Sequence, residues 1–207
     1  NDDRSCRILQ CETWAILMEN FLTAQDVFNG EGWDDRALLF KAERELDRLR
    51  NARAMATTDH MFNFAVTLAA VCDWTFHLHL SSLPRWKGKR EQNFTHWIRV
   101  NCADAFVFID IANEYKHANR VNGSTLVEKM MLSFIDLGDH PEMRSQVDLN
   151  KGWIQSMGSK DWFFFPSIKF NGQTEYFYDP AQRAIAWWRS FTPSMAVPMN
   201  VKNSIVP

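Results

Sequence analysis

The sequence predicts a mainly α-helical fold: a bundle of four to five helices with a small antiparallel β-hairpin or sheet and a C-terminal helix. Up to about residue 120, apolar side chains recur at helical spacing, whereas residues 124–178 are rich in β-branched and aromatic residues. A chain of 207 residues is long enough for one domain with a substantial core. We therefore predict a single domain over residues 1–192, a β appendage at about 124–178 and a loosely ordered tail over 193–207.

Five helical segments are predicted before the β-rich part. Breaks rich in Gly, Ser or Pro, or residues that favour a helix start, separate them. Thr57, Thr58 and Asp59 are expected to cap the third segment. The segments cover residues 6–28, 34–55, 59–80, 91–100 and 101–120.

The β-rich part contains one strong turn signal. Asn171-Gly172 lies between two short runs of β-prone residues, which is typical of a two-residue hairpin turn. After it, Asp179-Pro180 begins the last helix, because proline is favoured in the first helical turn. Its apolar residues Ile185, Trp188 and Phe191 are expected to dock on the bundle.

Net charge, apolar runs and cysteine content limit the classes of protein to which this chain can belong. A net charge of −2 gives no overall attraction to nucleic acid, so such binding would require a local patch. The longest apolar run, residues 61–72, is interrupted and far shorter than the ~20 residues that a bilayer requires. No signal peptide is apparent in the sequence. The four cysteines include no CxxC pair. We therefore expect a cytoplasmic protein without a membrane partner.

Two predicted helices each carry a line of polar residues where burial alone would favour apolar ones. Burial of an unpaired polar group costs roughly 1–3 kcal/mol, so each line should be a solvated face, a satisfied network or a site. On the first helix the line comprises His60, Asn63, Thr67, Trp74 and His77, with Asp73 at its edge. On the second helix it comprises Asp110, Asn113, Glu114 and His117.

Antiparallel packing of these two helices would bring the lines together in a polar cleft. There His117 would be a general acid or base, and Lys116 would stabilise phosphate charge. Asn113 and Asp73 would position the substrate or the imidazole. Two further residues are expected to contribute to binding, His77 and Asp110. The alternative is a hydrogen-bonded network between helices, or a face turned to solvent or to a dimer partner.

The loop after the first of these helices is strongly basic. It contains Arg85, Trp86, Lys87, Lys89 and Arg90 within six residues. Such a loop can contact phosphates while the indole stacks on a base, although many exposed loops have this composition.

Metal binding is the weaker chemical alternative. Histidines and carboxylates on the two helices could form a metal centre, but neither an HExxH nor a paired ExxH pattern is present. We therefore expect no metal site and no cofactor.

Two short motifs resemble a group of uncharacterised bacterial helical proteins: FNFAVTLAAVCDW (residues 62–74) and DIANEYKH (residues 110–117). In that group an Asp-Trp helix is followed by an Ala-Asn-x-x-Lys-His helix, and the match singles out Asp73, Trp74, Asn113, Lys116 and His117. The overall plan is similar to that of the HEPN superfamily. The resemblance implies a dimeric, metal-independent ribonuclease of a defence or toxin system.

The chain departs from the HEPN signature, which is an Arg followed after four to six residues by a His. No Arg lies at that distance before His117. The spacing does occur at Arg53–His60 and at Arg90–His96, but roughly one such match is expected by chance, so the two carry little weight.

The leading hypothesis is therefore a homodimeric, HEPN-like protein that binds or cleaves RNA in a defence or toxin–antitoxin setting, with an antitoxin as a possible partner protein. The competing hypothesis is a non-enzymatic protein-interaction module whose polar line is structural. A metal-dependent hydrolase is the third.

Overall fold

The computed structural model describes residues 35–116 and 127–198. These residues form five α-helices and a four-stranded antiparallel sheet. The predicted helix over residues 6–28 lies outside the described residues. The elements are α1 (Asp35–Asn51), α2 (Met55–Thr75), α3 (Glu91–Asn101), α4 (Ala103–Lys116), β1 (Val127–Asp136), β2 (Trp153–Met157), β3 (Lys160–Phe170), β4 (Gln173–Tyr176) and α5 (Tyr178–Ser190).

Helix α2 is the central element of the core. Its Phe64 is fully buried and meets Phe108 of α4 edge-on, with ring centroids 4.8 Å apart. Phe177, just before α5, lies 5.7 Å from Phe64 and 5.3 Å from Phe108. This triad joins α2, α4 and the start of α5, in the edge-to-face geometry that aromatic rings favour.

Helices α1 and α2 form an antiparallel hairpin joined by polar contacts along its length. Lys41 Nζ donates to Thr67 Oγ1 at 3.1 Å, and Thr75 Oγ1 donates to Asp35 Oδ2 at 3.2 Å. At the other end His60 Nδ1 lies 2.9 Å from Oε2 of Glu45, a carboxylate that is almost fully buried. Each buried polar group in these contacts therefore has a partner.

Both ends of α2 differ from the prediction. The helix begins at Met55, before the predicted Thr57–Asp59 cap, and no side chain caps it. At its other end the chain continues as a π-helical turn, Phe76–Leu80, closed by a bond from the Ser81 N–H to the Phe76 carbonyl at 2.8 Å. This turn directs His77 towards Glu91 and His79 towards Asp35.

Strand β3 lies at the centre of the sheet and pairs antiparallel with β1, β2 and β4. Asn171 and Gly172 join β3 to β4, with φ values of 51° and 75°. Two positive φ angles are typical of the type I′ turn that Asn-Gly favours, so the predicted hairpin is confirmed.

The sheet makes the fold a mixture of α and β structure, rather than the mainly helical one predicted. Of the described residues, 56% are helical and 19% are in strands. Val127, Ile168 and Phe170 are buried in the same core cluster as the helices. Strand β2, which has no sequence signal of its own, completes the sheet against the first half of β3.

One continuous helical run in the described part of the chain, residues 55–80, is long and apolar enough to cross a bilayer. More than half of its apolar window, 56%, is buried inside the fold. Core helices of soluble proteins pass the same test of length and composition, so the run is only weak evidence for a membrane span.

Part of the segment predicted as a loose tail contacts the bundle. Ala196 is fully buried, and the Ser194 carbonyl accepts a hydrogen bond from Arg85 at 3.2 Å. Residues 199–207 of that predicted tail lie outside the described residues.

The buried Glu45 carboxylate should make stability depend on pH. Burial by itself raises the pKa of Glu45, but hydrogen bonds and charge from His60 and Arg48 outweigh burial and hold the pKa below its ordinary value. The contribution is therefore present at neutral pH and is lost as pH falls below about 4.3 towards the folded-state pKa. We expect Glu45→Gln to lower the free energy of unfolding by about 1–3 kcal/mol at pH 7.

Urea denaturation at pH 7 and at about pH 3 measures this effect. The deficit of Glu45→Gln should shrink at the lower pH, and the exposed control Glu142→Gln should match wild type at both. An equal deficit at both pH values would contradict the assignment.

Candidate functional site: a polar cleft between three helices

A cleft of about 540 Å³ opens between α2, α3 and α4. Its lining includes Ala69 and Asp73 from α2 and Phe106, Ile109 and Asn113 from α4. Helix α3 contributes five polar side chains, Glu91, Gln92, Thr95, His96 and Arg99. The cleft is therefore apolar at part of its wall and richly polar along α3.

Two residues predicted for the site from separate helices lie together in this cleft. Asp73 of α2 and Asn113 of α4 both line it, and both are half-buried. The two helices therefore do bring part of their polar lines into one cavity.

Helix α3 supplies the residues that sequence reasoning missed. His96 and Arg99 are three residues apart, so they lie on one face of the helix. The Arg99 guanidinium lies over the Phe106 ring, 5.4 Å from its centroid, which positions the cation at the wall of the cleft. The available signal was the Arg90–His96 spacing, which carries little weight because roughly one such match is expected by chance.

The charges in the cleft are mixed. Asp73 and Glu91 are carboxylates, whereas Arg99 carries a guanidinium and His96 an imidazole. His77, outside the lining, lies at the rim with its Nε2 atom 3.3 Å from Oε2 of Glu91. An exposed histidine, an arginine, an amide and carboxylates in one cavity can transfer protons and hold an anionic group.

The remainder of the polar line on α2 does not face this cleft. His60 and Thr67 bond to Glu45 and Lys41 of α1, on another side of the helix. This part of the line is therefore the hydrogen-bonded network between helices that the sequence analysis gives as the alternative. The polar residues of α2 have different neighbours because helices surround α2 on several sides.

Asp110 has a structural role rather than the predicted binding role. It is only 1% exposed, and its Oδ2 atom accepts a hydrogen bond from the Val127 N–H at 3.4 Å. The carboxylate therefore connects α4 to the start of β1 and is closed to a ligand.

The basic loop also differs from its predicted role. Trp86 is fully buried, and its Nε1–H donates to the Ala196 carbonyl at 2.9 Å. Arg85 donates to the carbonyls of Pro193 and Ser194. Trp86 therefore cannot stack on a base, whereas Lys87, Lys89 and Arg90 are exposed as predicted.

Two predicted catalytic residues are beyond what the structure describes. His117 lies outside the described residues, and for Lys116 only the helical backbone at the end of α4 is described.

Within residues 35–116 and 127–198, no group of three or more His, Cys, Asp or Glu side chains is placed to hold a metal ion. The metal-dependent alternative therefore has no supporting geometry in this part of the chain.

No protein-family model, curated protein or solved structure matches this chain.

The buried position of Trp86 gives a test of its structural role. Trp86→Phe keeps an aromatic ring but removes the bond to the Ala196 carbonyl, so we expect the free energy of unfolding to fall by about 1–3 kcal/mol. The exposed neighbour Lys87→Ala should change it by less than about 0.5 kcal/mol. Urea denaturation of both variants makes the comparison, and an unchanged Trp86→Phe protein would contradict the assignment.

Proposed function

We propose that this chain binds RNA in the cleft between α2, α3 and α4 and cleaves it without a metal ion. The observation that carries the proposal is the convergence of Asp73 and Asn113 with His96 and Arg99 in one cavity. These residue types come from three helices and suit a phosphodiester substrate.

Arg99 and Asn113 are suited to hold the phosphate. A guanidinium presents several N–H donors to phosphate oxygens and remains charged at any relevant pH. The Asn113 amide can add a neutral donor from the facing helix. Stabilisation of charge that develops on the phosphate is often the largest contribution to such catalysis.

His96 is suited to move the proton. As a general base it would take the proton of the ribose 2′-hydroxyl while the 2′-oxygen bonds to the adjacent phosphorus. The bond from phosphorus to the 5′-oxygen then breaks, and an acid protonates the leaving oxygen. His117, which the sequence predicts on the same helix as Asn113, is our candidate for that acid. The products are a 2′,3′-cyclic phosphate and a 5′-hydroxyl.

The carboxylates complete the proposed arrangement. Asp73 is suited to orient an imidazole or to accept a hydrogen bond from the ribose. The Glu91 carboxylate contacts the His77 imidazole at the rim of the cleft through its Oε2 atom. This oxygen is therefore directed away from the position that we propose for the phosphate. Among the described lining residues, Arg99 carries the guanidinium, and Asp73 and Glu91 carry the carboxylates.

We base the proposed biological role, in defence or in a toxin–antitoxin system, on the resemblance to the HEPN superfamily. Arg90 and His96 have the spacing of that signature, and Arg90 directly precedes α3. The other pair with this spacing is engaged elsewhere, because His60 contacts Glu45 and Arg53 lies over the Trp153 ring. We accordingly propose a cytoplasmic homodimer that acts in a defence or toxin–antitoxin system.

A surface of the sheet favours a second candidate function, that of a protein-interaction module. Phe134 is 60% exposed and contacts both Trp162 and Phe164. Trp153 stacks on Phe164 at the same face, with centroids 5.6 Å apart. Aromatic residues at the centre of a patch are typical of protein interfaces, so this face suits a partner protein such as an antitoxin.

RNA cleavage by purified protein tests the proposal. We expect wild type to cleave single-stranded RNA equally with and without EDTA, and His96→Ala to lower kcat/KM by about 10²–10⁴-fold. His117→Ala should have a comparable effect. The exposed His140→Ala is the matched control and should retain wild-type activity.

Melting temperatures show that each variant is folded. Full activity of a folded His96→Ala protein would refute the assignment of proton transfer to the cleft. No cleavage by folded wild type would instead favour the interaction module.

A further inference from the structure

Strand β1 is the longest edge of the sheet, and its outer side has no strand beside it among the described residues. Its inner side pairs with β3, whereas β2 and β4 share the other side of β3. β1 has ten residues, β2 has five and β4 has four. A long open edge is a template for another strand, and natural proteins usually block or cover it. β1 is therefore the edge best suited to an additional strand.

The hydrogen bonds of β1 show which of its backbone groups face outward. The Leu137 N–H donates to the Asp161 carbonyl at 2.8 Å, and the Ser167 hydroxyl donates to the Met131 carbonyl at 3.4 Å. Because backbone groups alternate in direction along a strand, the odd-numbered residues from 131 to 137 bond towards β3. The alternate residues point their N–H and C=O groups away from β3, and these groups have no hydrogen-bond partner within residues 35–116 and 127–198. They are Met130, Leu132 and Phe134.

The side chains of these same three residues form an apolar row on one face of β1, because residues two apart share a face. Phe134 is exposed, and Met130 and Leu132 are half-buried. A strand that pairs here must therefore present matching backbone groups and apolar side chains at alternate positions.

Strand β1 of a second copy meets both requirements. When two β1 strands run antiparallel about a two-fold axis at Leu132, the six outward N–H and C=O groups of each strand all find partners. Each Phe134 ring then lies opposite Met130 of the partner subunit, and thioethers pack favourably against aromatic rings. The edge is therefore complementary to itself in hydrogen bonds and in apolar side chains.

The charges at the two ends of β1 favour the same arrangement. The first end is basic, because Lys129 lies opposite Lys169 and Glu128 offsets only one of these charges. At the other end three carboxylates outnumber two cations: Asp136, Asp139 and Asp161 against Lys160 and Arg144. Antiparallel pairing brings the basic end of each strand beside the acidic end of its partner, whereas parallel pairing would place like charges together.

We infer that β1 pairs with β1 of a second copy of this chain, antiparallel and with Leu132 on the two-fold axis. The four-stranded sheet would then continue from one protomer into the other. The inference deepens the proposed function by naming the interface of the homodimer. It does not depend on RNA cleavage, because no residue of β1 lines the cleft.

Sedimentation equilibrium of the full chain, at protomer concentrations up to about 100 µM, tests the inference. We expect a reversible dimer of the 24.2 kDa chain. Leu132→Lys and Leu132→Glu should each raise the dimer dissociation constant at least about tenfold, because the axis places like charges directly opposite each other. An equimolar mixture of the two variants should dimerise again, since the axis then pairs a lysine with a glutamate.

Met157→Lys is the matched control, because Met157 is an exposed apolar residue of β2 at the opposite edge of the sheet. This variant should dimerise as wild type does, and melting temperatures show that all variants are folded. An unchanged dimer in Leu132→Lys, or a mixture that stays monomeric, would overturn the assigned pairing. A monomeric wild type would overturn the inference as a whole. RNA cleavage by that monomer would still leave the proposed activity standing, so the two failures are distinguishable.

Discussion

The burial of helix α2 is the constraint on which the rest of the structure depends. Helix α2 contacts α1, α3, α4 and the sheet, so most of its surface is inside the protein. A buried polar side chain on such a helix is costly unless it finds a partner or opens onto a cavity. Thr57 is an exception, because its buried hydroxyl has no hydrogen-bond partner among the described residues. His60 and Thr67 meet this requirement through Glu45 and Lys41 of α1. Asp73 meets it at the cleft with α3 and α4.

Burial on several sides explains why the polar residues of α2 form a structural network on one side of the helix and line a cleft on another. The side of α2 that faces α1 carries a structural network, and its main consequence is pH-dependent stability through Glu45. The side that faces α3 and α4 opens onto solvent, and there α3 adds His96 and Arg99. The fold thus separates groups that stabilise the helix pair from groups that can reach a ligand.

Local features of the fold could be predicted from sequence, whereas tertiary partners could not. Asn171-Gly172 specifies its turn by its own backbone preferences, and the start of α3 at residue 91 follows a local break in the chain. Trp86 stands among four basic neighbours and Gly88, yet it is buried and its N–H donates to the carbonyl of the distant Ala196. Asp110 is likewise buried by β1, which follows it by some distance in the chain.

Asp73 and Asn113 could be predicted to share a cavity because helical periodicity places each on a polar face. His96 could not, because its only signal was the spacing from Arg90, which is too common to mark a site.

Photo-crosslinking of single-stranded RNA that contains 4-thiouridine, followed by mass spectrometry, tests most directly that the cleft is the RNA site. The account predicts crosslinked peptides from α3 and from the part of α4 around Phe106–Asn113, and their loss when Arg99 is changed to Gln. Crosslinks concentrated on the aromatic face of the sheet, at Trp153, Trp162 and Phe164, would contradict it.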